Sequence, residues 1–119
     1  MVSDDTKPLL PLSPAIVHIL LALAGEDRHG YGIMQEIARQ SEGQYRVGPG
    51  TLYDNLQKLM DLNMVDEIPL RSATSEPRRK LYHLTAFGIR VLTAETTRLQ
   101  GVVRDAKLHL RALKPRSVS

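Results

Sequence analysis

The sequence predicts a mainly α fold with one small β-hairpin, and three observations carry that reading. Three short apolar-periodic stretches, punctuated by helix-start and helix-stop residues, fill residues 13–62. Two β-leaning runs, 64–70 and 80–84, flank a loop rich in Ser, Thr, Pro and Arg. Residues 85–113 then keep apolar side chains at alternating spacings of three and four. Three helices with a small turn between the second and third make a helix-turn-helix, and a hairpin placed directly after it is a wing. The expected organisation is a flexible N-terminal arm over 1–12, a winged helix-turn-helix over 13–84, a long helix over 85–114 and a tail over 115–119.

Composition narrows the class. A chain of 119 residues is one domain of ordinary size, and 42% hydrophobic with 24% charged residues is the balance of a globular protein. With no cysteine, disulfides and thiolate metal sites are excluded. The most apolar run, Ala15 to Ala24, contains His18 and is too short to span a bilayer. The opening Met1-Val2-Ser3-Asp4-Asp5 is acidic, unlike a signal peptide, so the expected compartment is the cytoplasm, with no membrane partner. The formal charge of +3 is unevenly spread. Residues 1–70 carry five Lys or Arg against ten Asp or Glu, whereas residues 71–84 carry four against one. Any grip on nucleic acid is therefore expected to come from a local basic segment rather than from overall charge.

The first helix starts at Ser13-Pro14, an N-cap followed by a first-turn proline, and stops at Gly25. Ile16, Val17, Ile19, Leu20, Leu21 and Leu23 make it apolar nearly all round, so it must be covered on more than one side. Either it is the centre of the core, or it also meets a second chain. After the polar turn Glu26-Asp27-Arg28-His29, a second short helix buries Ile33 and Ile37 and ends near Ser41-Glu42-Gly43.

Gly48-Pro49 starts the third helix, in which Leu52, Leu56 and Leu59 form one apolar stripe. Thr51, Asp54, Asn55 and Lys58 fall on its other faces. A helix fits the major groove, where such side chains read base edges. Asn55 suits adenine, Thr51 a phosphate or a thymine methyl, and Lys58 a phosphate or guanine. Asp54 repels phosphate and either takes a cytosine amino group or stays clear. The bland alternative is a solvated helix face.

Pro69 is tolerated in the following hairpin only at an edge, and two strands alone are marginal, so the wing must lean on the helices. Arg71, Arg78, Arg79 and Lys80 at its basic loop are candidates for the phosphate backbone or minor groove, or else a solvated charged loop. Thr85 caps the last helix, which Pro115 ends. Its stripe is Ile89, Leu92, Thr96, Leu99, Val103, Ala106, Leu110 and Leu113, four heptads that a small core has no room to cover. The economical reading is a dimer interface, in which Thr96 and Ala106 set the register or crossing point. Gly88 and Gly101 are expected to weaken this helix by roughly 1 kcal/mol each.

Catalysis is not expected. His18, His29, His83 and His109 are scattered, and His29 with Glu26 and Asp27 reads as a polar turn rather than a metal site. No Gly-Lys-Ser or Gly-Lys-Thr element follows Gly48-Pro49-Gly50, so it is not a phosphate loop, and no cofactor is expected.

Several of these stretches together resemble one family. Leu12-Ser13-Pro14, Ile19-Leu20-Leu21-Ala22-Leu23, His29-Gly30-Tyr31-Gly32-Ile33, Gly50-Thr51-Leu52-Tyr53 and the run Arg78 to Thr85 are similar to motifs of PadR-family transcriptional regulators, in order, over roughly residues 12–95. A single C-terminal helix resembles the shorter subfamily. The resemblance implies a homodimeric winged helix-turn-helix repressor bound to a palindromic operator in double-stranded DNA, its grip altered by a small-molecule effector. It implies a DNA-facing set of Ser13, Tyr31, Pro49, Gly50, Thr51, Tyr53, Asn55, Lys58, Arg71, Arg78, Arg79 and Lys80, with Tyr53 at the groove edge. Two features depart from the family. Gly48 stands where a side-chain cap such as serine is expected, and the final helix has no Trp for an aromatic drug platform. The first and last helices either enclose an effector cavity at the dimer interface or pack solidly. The rival class is a winged-helix protein-interaction module that does not bind DNA.

Overall fold

The computed structural model describes residues 4–69 and 80–113. After a single 3-10 turn at Lys7–Leu9 come α1 (Pro14–Gly25), α2 (Gly30–Gln40), α3 (Pro49–Asp61), β1 (Val65–Pro69), β2 (Lys80–Leu84) and α4 (Ala86–Ala112). This is a winged helix-turn-helix extended by a 27-residue helix. Among the described residues, no helix is long and apolar enough to cross a membrane.

Local signals set the helix ends. The Ser13 hydroxyl accepts the Ile16 N–H (3.3 Å) and the Thr85 hydroxyl accepts the Gly88 N–H (2.9 Å), each satisfying a first-turn donor that the helix itself cannot. The C-terminus of α3 closes through Asn63, whose φ of 62° lets the Met64 N–H return to the Leu59 carbonyl (2.8 Å). The end of α2 closes in the same way through Glu42 at φ 53°, with the Gly43 N–H on the Ala38 carbonyl (2.7 Å). That hairpin of helices is tied again by Ser41, whose hydroxyl accepts the Tyr45 N–H (2.9 Å) and donates back into the helix and turn.

One core sits among α1, α2, α3 and the base of the hairpin. Ile19, Leu20 and Leu23 from α1 meet Ile33 and Ile37 from α2, Leu52, Leu56 and Leu59 from α3, and Met64, Val65, Tyr82 and Leu84 from the strand ends. The two strands pair antiparallel from Val65 opposite Leu84 to Pro69 opposite Lys80, which puts Pro69 at the outer end of the ladder. The hairpin is not alone. Arg28, between α1 and α2, exchanges both backbone bonds with Tyr82, so β2 is flanked on its second edge as well. The Arg28 Nε–H also donates to the Ala22 carbonyl (2.7 Å), satisfying one of the last acceptors of α1.

Two expectations are corrected. The N-terminal segment is not a free arm over residues 4–12. Leu9, Leu10 and Leu12 pack on the core, Thr6 is buried, Asp5 pairs with Arg90 (2.8 Å), and the Leu12 N–H donates to Glu95 (3.1 Å). Glu95 is 1% exposed in the middle of α4 and also accepts two bonds from Arg98, which hold its carboxyl below the usual range against the opposing effect of burial. The polar turn at Glu26–His29 is where expected and is tied into the fold through Arg28. Finally, Gly88 is no defect. A Cβ there would run into the Met64 carbonyl oxygen and lie 2.7 Å from Leu84 Cδ1, so glycine is what lets α4 sit against the α3–β1 junction. Gly101, with nothing near it, keeps the expected weakening role.

Candidate nucleic-acid interface

The third helix presents its polar face because three leucines hold its back. Leu52, Leu56 and Leu59 are all essentially fully buried, and this leaves Thr51, Tyr53, Asp54, Gln57 and Lys58 exposed. Gly48, in extended conformation, starts the helix without any side-chain cap, and Pro49 follows, so the first turn is open around Gly50 and Thr51. Asn55 is half-buried, and its amide donates to the Thr51 carbonyl one turn back (2.9 Å). To pair with a base edge it would have to release that bond.

The motifs at Gly30-Tyr31 and Thr51-Leu52-Tyr53 meet in space. Tyr53 leans across the start of α2, and a Cβ on Gly30 would occupy the place of its phenol ring. Glycine at position 30 therefore seats the tyrosine and fixes how closely α3 approaches α2. Tyr31, 68% exposed, stands beside this contact and lines a shallow cleft with Gln35, Arg46, Val47 and Gly48, just ahead of the third helix. Arg46 is the functional candidate that sequence reasoning missed. Its signal was a lone cation two residues before the Gly48-Pro49 start, easily passed over as part of a loop.

Other expected residues lie away from this cleft. Ser13 is exposed but serves as the α1 cap, and it is not among the residues around the α2–α3 cleft. Lys80 begins β2 at the outer end of the ladder, where its ammonium pairs with Glu67 (3.1 Å) across the strands. Arg71, Arg78 and Arg79 lie outside the described residues. Arg39 is exposed yet engaged, since its guanidinium grips Glu36 with two bonds (2.8 and 2.6 Å). Glu36 also accepts from Gln40 (2.9 Å), and Arg28 stands 3.7 Å away. The Arg39 bonds, stronger than the cost of burial, hold the Glu36 carboxyl down to about 2. Among the described residues no three His, Asp or Glu side chains stand close enough to share a metal ion.

On α4, two faces do different work. Gly88, Val91 and Glu95 face the domain, while the expected heptad stripe lies on a neighbouring face. Of that stripe, Leu92 is half-buried against the core, whereas Ile89, Thr96, Leu99, Val103, Ala106, Leu110 and Leu113 are exposed, Leu110 by 65%. Between α1 and α4 runs an apolar groove of about 270 Å³, lined by Val17, Leu21, Leu92, Thr96, Leu99 and Val103. It joins the outer side of the nearly all-apolar first helix to the exposed stripe of the last.

Comparison with known proteins follows the same outline. Residues 19–94 match the family described as transcriptional regulator PadR-like. The chain is 33% identical over 90 residues to transcriptional regulator Rv3488 of Mycobacterium tuberculosis, covering 75% of this chain and 78% of that protein. The fold is similar to a PadR family transcription regulator from Clostridium difficile, with a TM-score of 0.69 at 21% identity over 82% of this chain and 99% of that one. It is also similar to Bacillus subtilis PadR in complex with operator DNA, with a TM-score of 0.62 at 19% identity over 92% of this chain and 52% of that one.

Proposed function

This chain belongs to the PadR-like family of transcriptional regulators, and from that premise we propose that it binds duplex DNA as a homodimer and represses transcription from a palindromic operator. The observation that carries the reading is the third helix, whose leucine back is locked into the core while Thr51, Tyr53, Lys58 and the open first turn at Pro49-Gly50 face outward beside a wing. A helix held this way can enter a major groove with its side chains already aimed. Lys58 and Asn55 would read base edges. Tyr31, Tyr53, Arg46 and Lys80 would meet the backbone alongside, joined by Arg71, Arg78 and Arg79 of the wing loop and by Ser13 at the start of α1. Residues 13–84 would then be the DNA-binding unit, and 85–114 the dimerisation helix through the exposed stripe from Ile89 to Leu113.

Charge argues that geometry must do much of this work. Asp54 lies on the outward face, and the first 70 residues are net acidic, so docking in the wrong orientation is penalised. A small apolar effector seated in the α1–α4 groove would change the angle between protomers. A shift of a few ångströms in recognition helices that must stand about 34 Å apart spoils two-site docking. No catalytic role is proposed.

Selection of bound duplexes from a random pool tests the reading. A palindrome with half-sites about one helical turn apart is expected, bound with an affinity that drops by orders of magnitude between low and moderate salt. A pool that shows no enrichment at low salt would favour the rival protein-interaction module, for which the net acidic balance of residues 1–70 is the supporting observation.

A further inference from the structure

We infer that Asp27 and His83 form a proton-sensitive clasp that positions the wing, so that DNA affinity increases as His83 takes up a proton. The inference rests on the DNA-binding reading above and names a control on it. Three consecutive residues between α1 and α2 hold the wing strand β2. At the centre, Arg28 exchanges backbone bonds with Tyr82 (3.2 and 2.9 Å). To one side, His29 Nδ1 meets the Lys80 carbonyl (3.2 Å). To the other, His83 Nδ1 lies 2.7 Å from Asp27 Oδ1. A two-stranded hairpin has little stability of its own, so the position of the two strands on the domain depends on how firmly β2 is held.

The charge state of the clasp is the variable part. An ionised carboxylate can only accept, so the neutral imidazole holds Asp27 by one N–H, whereas the imidazolium adds a full charge to that bond. Among the other groups facing His83, two are carboxylates. Asp66 of β1 stands directly opposite it in the ladder, and Glu26 lines the same groove as Asp27 and His83. From α4 the groove receives only Ile89, and the next residue, Arg90, is turned to Asp5. Arg28 is directed to the Ala22 carbonyl, Glu26 and Glu36. Histidine is the side chain whose charge most readily changes near neutral pH, which sets the range of the test. Both side chains are partly exposed, which limits the effect to the scale of a surface ion pair.

The test compares the full-length wild type with Asp27→Asn, which keeps an acceptor but removes the charge, and with His83→Gln. Affinity for the selected duplex and hydrogen-exchange protection of the Tyr82 amide, corrected for the intrinsic rate, are measured at about pH 6 and about pH 8. On going to the lower pH the wild type is expected to gain about threefold in both readouts relative to either variant. Wild-type protection that does not change with pH overturns the clasp. If Asp27→Asn keeps the wild-type gain in affinity, the His83 charge acts on DNA directly and the positioning role is overturned. If no duplex binds at either pH while protection behaves as expected, the DNA-binding reading fails and the clasp stands as a purely structural contact.

Discussion

Replacing Gly88 with alanine adds one methyl group to α4 at a point where the structure leaves no room. The new carbon would meet the Met64 carbonyl oxygen far inside contact distance, with the Met64 carbonyl carbon at 3.1 Å and Leu84 Cδ1 at 2.7 Å. Two of those three atoms are backbone and cannot rotate away. The same carbonyl accepts the Thr85 N–H (3.1 Å), and Thr85 Oγ1 donates to the Asn63 carbonyl (2.7 Å), so the start of α4 is stitched to the end of α3 at this place. Relieving the clash means pushing the helix outward. Overpacking of this kind costs about 3 kcal/mol at the rigid end of its range, and the better helix propensity of alanine returns about 1 kcal/mol. A net loss of about 2 kcal/mol corresponds to a fall in Tm of roughly 8 °C for a domain of this size. Gly101 supplies the control within the same helix. Open space surrounds it, so Gly101→Ala should gain about 1 kcal/mol and raise Tm by roughly 4 °C. Thermal melts followed by circular dichroism at one matched protein concentration make the comparison, because association shifts Tm by mass action. A Gly88→Ala protein that melts at or above the wild type would refute the close approach of α4 to the α3–β1 junction.

Glu36 makes stability depend on acid. Its carboxyl is held at about 2 by Arg39, below the 4.5 of the free group, so its contribution is fully present above about pH 4.5 and is lost as pH falls through about 2. Urea midpoints of Glu36→Gln should therefore decline less than those of the wild type over that window, and equal slopes would contradict the Arg39 pairing. Leu99→Asp and Leu110→Asp each place a carboxylate in the exposed stripe of α4, and light scattering should find a dimer for the wild type and a monomer for each variant. A variant that remains dimeric, or a wild type that is already monomeric, removes the stripe as the interface.

Much of the architecture was legible because its signals are local. Ser13-Pro14, Gly48-Pro49 and Thr85 each mark a helix start within three or four residues, and the structure begins α1, α3 and α4 there. The leucine stripe of the third helix is equally local, since 3.6-residue periodicity alone tells which side chains share a face. The candidate site was legible to the same extent: the outward set from Thr51 to Lys58 follows once the inward set is known. Arg46 escaped because nothing in its neighbours distinguishes a cation beside the third helix from one in any loop.

What sequence could not reach depends on contacts between distant segments. Leu12 and Glu95 are 83 residues apart, and only their meeting turns a proline-rich opening into a docked strap and gives a buried carboxylate its partners. Arg28 reads as an ordinary turn residue until Tyr82 is folded beside it. Gly88 and Gly101 are the same residue in the same helix, and propensity, a property of the chain alone, assigns them the same cost. The Met64 carbonyl, present at one and absent at the other, gives them opposite roles. The sequence by itself determined the helices, the hairpin and which faces are apolar, because short-range sterics and periodicity decide those. Tertiary packing decided which face of α4 meets its own domain, which stays open, and how the wing is anchored, because those are settled by where backbone and side chains from separate elements compete for the same space.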